Sequence, residues 1–297
     1  MKDLCNQNEV NLGRVACDVK MGVPTGLILG YGITLITQND ANDLTKMLAK
    51  TQGDVYRARL QPYTSGFQQI TDNSTEPTVD TQSSTGYTEK LADGSIVFAF
   101  GFPNKVCLGR QVMAIEDAGF THAFVIAGGY IWGLASGNAL QGFPIKSLYT
   151  TGAGFNTDSV KPIQLNINFG SDKDFDLNRE GFKLGYPAEN IVGLDTYAVT
   201  PTATAKKYTL QAPCNGSNPY ELYKGELATP EAWKVTGSNG AAITVTGVEA
   251  DDAAQAFALT FDAPQDGGYT VNLAAPSVLA AAGVSGVIGK PLTVNVA

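Results

Sequence analysis

In the last ninety or so residues, from about Lys206 to Ala297, apolar side chains recur at every second position. Ile243 and Val245 make one run, Phe257, Leu259 and Phe261 a second, Tyr269, Val271 and Leu273 a third, and Leu292, Val294 and Val296 a fourth. A period of two sends alternate side chains to opposite faces of an extended chain, so each run predicts a half-buried strand. Between them stand Ser238-Asn239-Gly240, Pro264-Gln265-Asp266-Gly267-Gly268 and Gly289-Lys290-Pro291, turn chemistry at the short spacing of a β-sandwich. Ser277 to Ala282 breaks the pattern, and its alanines and Leu279 predict a helical turn stopped by Gly283.

The longer preceding part mixes periods. Gly26 to Thr37 predicts a strand or a hairpin bent at Gly30-Tyr31-Gly32, and Asn39 or Asp40 can cap a helix running to about Lys50. Val55 to Leu60 alternates as a strand with Arg57 and Arg59 on one face. Gln61 to Gly86 turns to Thr, Ser, Pro, Asp and Gln, with one apolar patch at Phe67 and Ile70. So long a polar connection predicts an arm or binding loop. Asp93-Gly94, between Gly86–Leu91 and Ser95–Phe100, predicts a hairpin. Leu108, Val112, Met113 and Ile115 share one side of a helix ending near Ala118-Gly119, and Phe120 to Trp132 reads as one long strand. Gly133 to Asp158 is a second loop candidate, Pro162 to Phe169 a strand, and Asn190 to Val199 the last strand of this part. Pro201, alternating Thr and Ala, and Lys206-Lys207 then interrupt the apolar pattern, which places a boundary between residues 1–203 and 204–297.

Composition narrows the classes. With 297 residues, 43% hydrophobic and 16% charged, the chain can build two ordered domains, and a net charge of -8 argues against wrapping nucleic acid. Met1 to Glu9 has no apolar core of a signal peptide and no run approaches a membrane span, so neither export nor a membrane partner is expected. Cys5, Cys17, Cys107 and Cys214 are scattered without a CxxC, which predicts reduced thiols and no zinc site, with a Cys5–Cys17 bridge as the alternative.

Catalytic chemistry finds little support. His122 is the sole histidine, and no nucleophile elbow, HExxH or phosphate loop occurs. Asp172, Asp174 and Asp176, with Asn178 and Glu180 beyond, form a weak Ca²⁺ candidate. They fail the EF-hand pattern at Leu177 and Lys183, and a solvated charged turn explains them as well. A paired-carboxylate glycosidase stays open in principle, but it would want exposed aromatics to stack on sugar. Trp132 and Trp233 lie in or beside apolar runs and read as core. No catalytic residue, cofactor or enzyme activity is expected.

The order of elements carries a resemblance. The strands flanking the first helix, the stretch Ile70-Thr71-Asp72-Asn73-Ser74-Thr75-Glu76-Pro77, the Gly86–Phe100 hairpin, the Leu108–Ala118 helix and the strands around Phe124 and Leu165 resemble bacteriophage major tail (tail-tube) proteins. The Asp72–Gly86 stretch is also similar to virion structural proteins of Bacteroides-type gut phages, and the C-terminal module resembles bacterial immunoglobulin-like domains. The resemblance implies a mainly β fold: a sandwich or barrel body with one or two helices, followed by an Ig-like β-sandwich. It implies a structural virion protein, made in the host cytoplasm and housed in the tail, whose stacked hexameric rings form a DNA conduit. Its partners would be itself, other tail or head-tail proteins, and DNA passing the lumen without specific binding. Phe67, Ile70, Thr75, Glu76, Pro77 and Tyr87 become subunit-interface candidates, on an arm expected to order on assembly. A capsid decoration or connector protein, and a surface adhesin, are the alternatives.

Overall fold

A computed structural model of the chain describes residues 21–81, 87–103, 105–152, 162–171, 179–213, 216–262 and 268–295. The protein is mainly β, as the sequence pattern predicts. The described residues up to 192, without 52–54, make one compact unit, and 52–54 with 193 onward make a second.

The body begins with β1 (Pro24–Gly30) and β2 (Ile36–Thr37), followed by helices α1 (Gln38–Asn42) and α2 (Leu44–Thr51). Thr37 caps α1: its hydroxyl accepts from the Asp40 amide, and the Asp40 carboxylate accepts in return from the Thr37 amide at 2.7 Å. Tyr56–Ala58 is a single 3-10 turn, where alternation predicts a strand. The Ala58 and Arg59 amides donate back to the Val55 and Tyr56 carbonyls, so the arginines leave a turn, not a sheet face.

Five strands and a helix follow: β3 (Gln61–Tyr63), β4 (Gln69–Asp72), β5 (Thr78–Thr81), β6 (Thr88–Ala92), β7 (Ser95–Phe102) and α3 (Val106–Asp117). The predicted long strand after α3 is a hairpin, β8 (His122–Ala127) and β9 (Tyr130–Ser136), joined at Gly128-Gly129, both at positive φ. Such a pair suits the turn that matches strand twist. The predicted second loop supplies β10 (Ala139–Gln141), β11 (Phe143–Pro144) and β12 (Ser147–Thr151). β13 (Ile163–Ser171) and β14 (Arg179–Lys183) complete the unit.

One sheet runs β2-β10-β9-β8-β1-β3, with β11 against β8 and β14 against β9; a second runs β12-β13-β7-β4. The central strands of the first are apolar on both faces because both are covered. Leu27, Leu29, Ala123, Val125 and Trp132 face a core shared with Phe98, Phe100, Leu165 and Ile167 of the second sheet and with Val112 and Ile115 of α3. Ile28, Phe124, Ile126 and Ile131 face a second core with Met47 of α2 and Leu60. Double burial turns the period-two signal into a continuous apolar run.

The second unit is a sandwich. β15 (Asp195–Pro201), β16 (Lys207–Gln211), helix α4 (Tyr220–Leu227), β17 (Trp233–Gly237), β18 (Ala242–Ile243), β19 (Val245–Asp251), β20 (Ala256–Phe261), β21 (Tyr269–Leu273), helix α5 (Pro276–Ala281), β22 (Val287–Lys290) and β23 (Leu292–Val294) follow in order. They form the sheets β19-β20-β16-β15-β22 and β18-β17-β21-β23. Between them lies a single core that includes Phe257, Leu259, Phe261, Trp233, Val271 and Leu273. α5 ends at Gly283 with φ 93°, as the alanine-rich stretch predicts. The expected boundary at 203/204 is corrected to 192/193. β15 pairs with β16 and β22, and Val199 sits in the sandwich core, so the Pro201–Lys206 composition break is a hairpin turn and not a linker.

Candidate assembly surface

The Asp93-Gly94 hairpin is not formed. β7 carries Phe98, Phe100 and Phe102, which need burial, and it pairs with β13 and β4 instead. β6, Thr-Glu-Lys-Leu-Ala, has no apolar face to bury and pairs with β5. The result is a separate two-stranded ribbon whose nine strand residues, four in β5 and five in β6, are all exposed. Its register sets Asp80 opposite Glu89, Val79 opposite Lys90 and Thr81 opposite Thr88. At its base Thr75 and Ser95 exchange backbone hydrogen bonds of 2.9 and 3.1 Å, and their hydroxyls lie 3.0 Å apart.

Val79, Tyr87 and Leu91 are 56%, 61% and 63% exposed. Among the described residues neither ribbon strand has a strand on its outer edge. Two strands without a covered face are marginal in water, and open edges are templates for pairing with another chain. This ribbon is the most exposed open-edged strand pair among the described residues and is the candidate assembly surface. Of the six interface candidates, Thr75, Glu76, Pro77 and Tyr87 lie at its base and along it. Phe67 and Ile70 do not: Phe67 packs against Phe100 and Phe102 with ring centroids at 5.2 and 4.9 Å, and Ile70 belongs to β4 beside Phe100. The apolar patch in the polar stretch is thus the anchor of an edge strand.

The opposite edge of that sheet is guarded. Glu116 of α3 accepts from the Thr150 amide at 2.9 Å and its hydroxyl at 2.7 Å, occupying a donor of β12. These bonds, the hydroxyl's first, hold the Glu116 carboxyl below its usual range.

His122 opens β8 with Nδ1 2.9 Å from the Thr121 hydroxyl, and partial burial lowers its pKa. Both tryptophans are buried and donate to carbonyls, Trp132 to Ala127 at 3.1 Å and Trp233 to Leu227 at 2.8 Å. Among the described residues no cluster of His, Cys, Asp and Glu could hold a metal. The calcium candidates Asp172, Asp174 and Asp176 lie outside the described residues. A groove of about 370 Å³ is lined by Val23, Ile70, Asp72, Ser74, Ile96, Phe98 and Arg179 among others; there the Ser74 amide donates to the Asp72 carboxylate at 2.9 Å and the Ser74 hydroxyl accepts from the Val97 amide at 3.1 Å.

Cys107, in the first turn of α3, is disulfide-bonded, where the scattered spacing predicts a thiol. Folding brings distant cysteines together, which no spacing rule can see; Cys5, Cys17 and Cys214 lie outside the described residues. No helix among the described residues is long and apolar enough to cross a membrane. No protein-family model, curated protein or solved structure matches this chain.

Proposed function

We propose that this chain is a structural virion protein, the tail-tube subunit that polymerises as stacked hexameric rings around a DNA conduit, with its C-terminal sandwich as an exterior decoration. The observation that carries the reading is the ribbon: nine exposed strand residues, two open edges and three large exposed hydrophobics, attached to a body that has two filled cores of its own. A body that needs no help to fold, bearing a ribbon that does, fits a subunit completed by its neighbours. A mainly β body with open sheet edges is also the raw material of a closed ring, since closure removes edges. The net charge of -8 suits a wall that DNA slides past, because like charges do not bind. Sedimentation and native mass over a range of protein concentration test the reading. Cooperative conversion to hexamers and multiples of hexamers is expected; a monomer or trimer that never grows would refute it and favour a capsid decoration protein.

A further inference from the structure

The ribbon has a definite chemistry on each face. Asp80 and Glu89 are direct cross-strand partners on one face, Val79, Lys90, Thr81 and Thr88 take the other, and Leu91 stands at the bulge where the register shifts between Thr78 and Val79. Like charges set opposite each other destabilise a strand pair. Neither carboxylate has an ion-pair partner among the described residues, and Leu91 beside them is 63% exposed. The ribbon's own Lys90 lies on the other face and pairs with Asp93, so this face is complementary to a cation and an apolar surface on another element.

The body presents both elsewhere. The loop after β1 and the 3-10 turn at Tyr56–Ala58 are tied together where the Thr34 hydroxyl donates to the Ala58 carbonyl. The Tyr31 ring lies 5.9 Å from that of Tyr56 and 5.1 Å from that of Phe120, and its hydroxyl donates to the Ala118 carbonyl at 2.9 Å, which fixes it as a platform. The Arg57 guanidinium sits 5.9 Å from the Tyr31 ring centroid, and Arg57 is exposed without a carboxylate partner among the described residues. Around it Ile33 and Val55 are each 66% exposed and Tyr56 is 49% exposed. A guanidinium held by an aromatic ring and flanked by apolar side chains is the composition of an interface hot spot.

We propose that the Asp80–Glu89 face of the ribbon, with the exposed Leu91 at its bulge, docks on the Arg57–Tyr56–Val55–Ile33 patch of a second copy of this chain. The inference rests on the ring-subunit reading and names the contact within it. One surface is acidic and apolar, the other cationic and apolar, and they are different surfaces of one body, so the contact is heterologous and propagates from copy to copy until a ring closes. Docking supplies the acidic pair with its missing cation and covers Leu91, and Arg57 can bridge both carboxylates because its fork presents several donors.

Charge reversal tests the contact. Arg57→Glu alone, and Asp80→Arg with Glu89→Arg, are each expected to raise the protein concentration for half-assembly at least about tenfold. The triple reversal, which restores opposite signs, is expected to recover most of that loss. All three positions are exposed, so unchanged thermal unfolding of the free subunit confirms that the variants fold. As a second readout, a photo-crosslinking residue at Leu91 is expected to join the peptide around Val55–Arg57 of another molecule, seen as isotopically mixed crosslinks. If the wild-type protein forms rings and the single-sign variants form them equally well, or Leu91 crosslinks elsewhere, this contact is wrong while the ring reading stands. If the wild-type protein forms no rings, both fall.

Discussion

Excising the ribbon separates its role in assembly from any role in folding. Replacing residues 78–93 by Gly-Asn-Gly leaves Thr75 and Ser95, already a bonded pair, at the ends of a much shorter loop. None of the described residues removed is buried, and the Lys90–Asp93 ion pair leaves with the ribbon, so little packing is lost. The loop shrinks from about 19 residues to about 6, which lowers the closure entropy by about 1 kcal/mol. In a unit of this size that is an upward shift of about 2–4 °C in the melting temperature. Differential scanning calorimetry and chemical denaturation of the free subunit measure it, and sedimentation reports on assembly. A subunit as stable as wild type or slightly more so, and unable to assemble, is the expected result. Destabilisation beyond about 2 kcal/mol would mean that the ribbon belongs to the body's core, and normal assembly would mean that it is not the contact.

Three further outcomes follow from the geometry. Phe257 is fully buried, with ring centroids 5.1 Å from Tyr220 and 5.5 Å from Trp233, so Phe257→Ala is expected to cost the sandwich about 3–5 kcal/mol in denaturant unfolding, whereas a loss below about 1 kcal/mol would contradict the packing. Thr37→Ala removes half of a reciprocal cap and is expected to cost about 1 kcal/mol by the same assay, with no measurable change refuting the capping role. Glu116 has a folded-state pKa below its unfolded value, so its contribution is present above the ordinary carboxylate range and is lost as pH falls through the lowered value. A side-chain carbon NMR titration should place its midpoint below that of exposed glutamates, and Glu116→Gln should flatten that part of the acid-stability profile; an ordinary midpoint would contradict the Thr150 bonds.

Local patterns read well where one face is buried and poorly where pairing is decided at a distance. The runs at Phe257 and Tyr269 became β20 and β21 because a sandwich strand has one covered face. The helix before Lys50 is legible, but its cap is Thr37 and not Asn39 or Asp40, and it breaks at Asp43 into α1 and α2; the helix around Val112 is legible from its apolar spacing, although Met113 is exposed. Asp93-Gly94 misled because a hairpin also requires both flanking strands to prefer each other, and the phenylalanines of β7 gain more between β13 and β4. Gly128-Gly129 is the true hairpin signal, set inside a run whose double burial hides the break. The polar stretch supplies the exposed ribbon, with Thr75, Glu76, Pro77 and Tyr87 at its base or along it, whereas Phe67 and Ile70 are packed on the core. Arg57 was visible only as one member of an alternating run. Its meaning comes from Tyr31, far away in sequence, lying beneath it.

Cryo-electron microscopy of the purified protein at a concentration above its assembly threshold tests the central claim most directly. The account predicts six-fold rings, single or stacked into hollow tubes, with the 78–92 ribbon of each subunit seated on its neighbour. Isolated particles without ring symmetry, or rings in which the ribbon stands free in solvent, would contradict it.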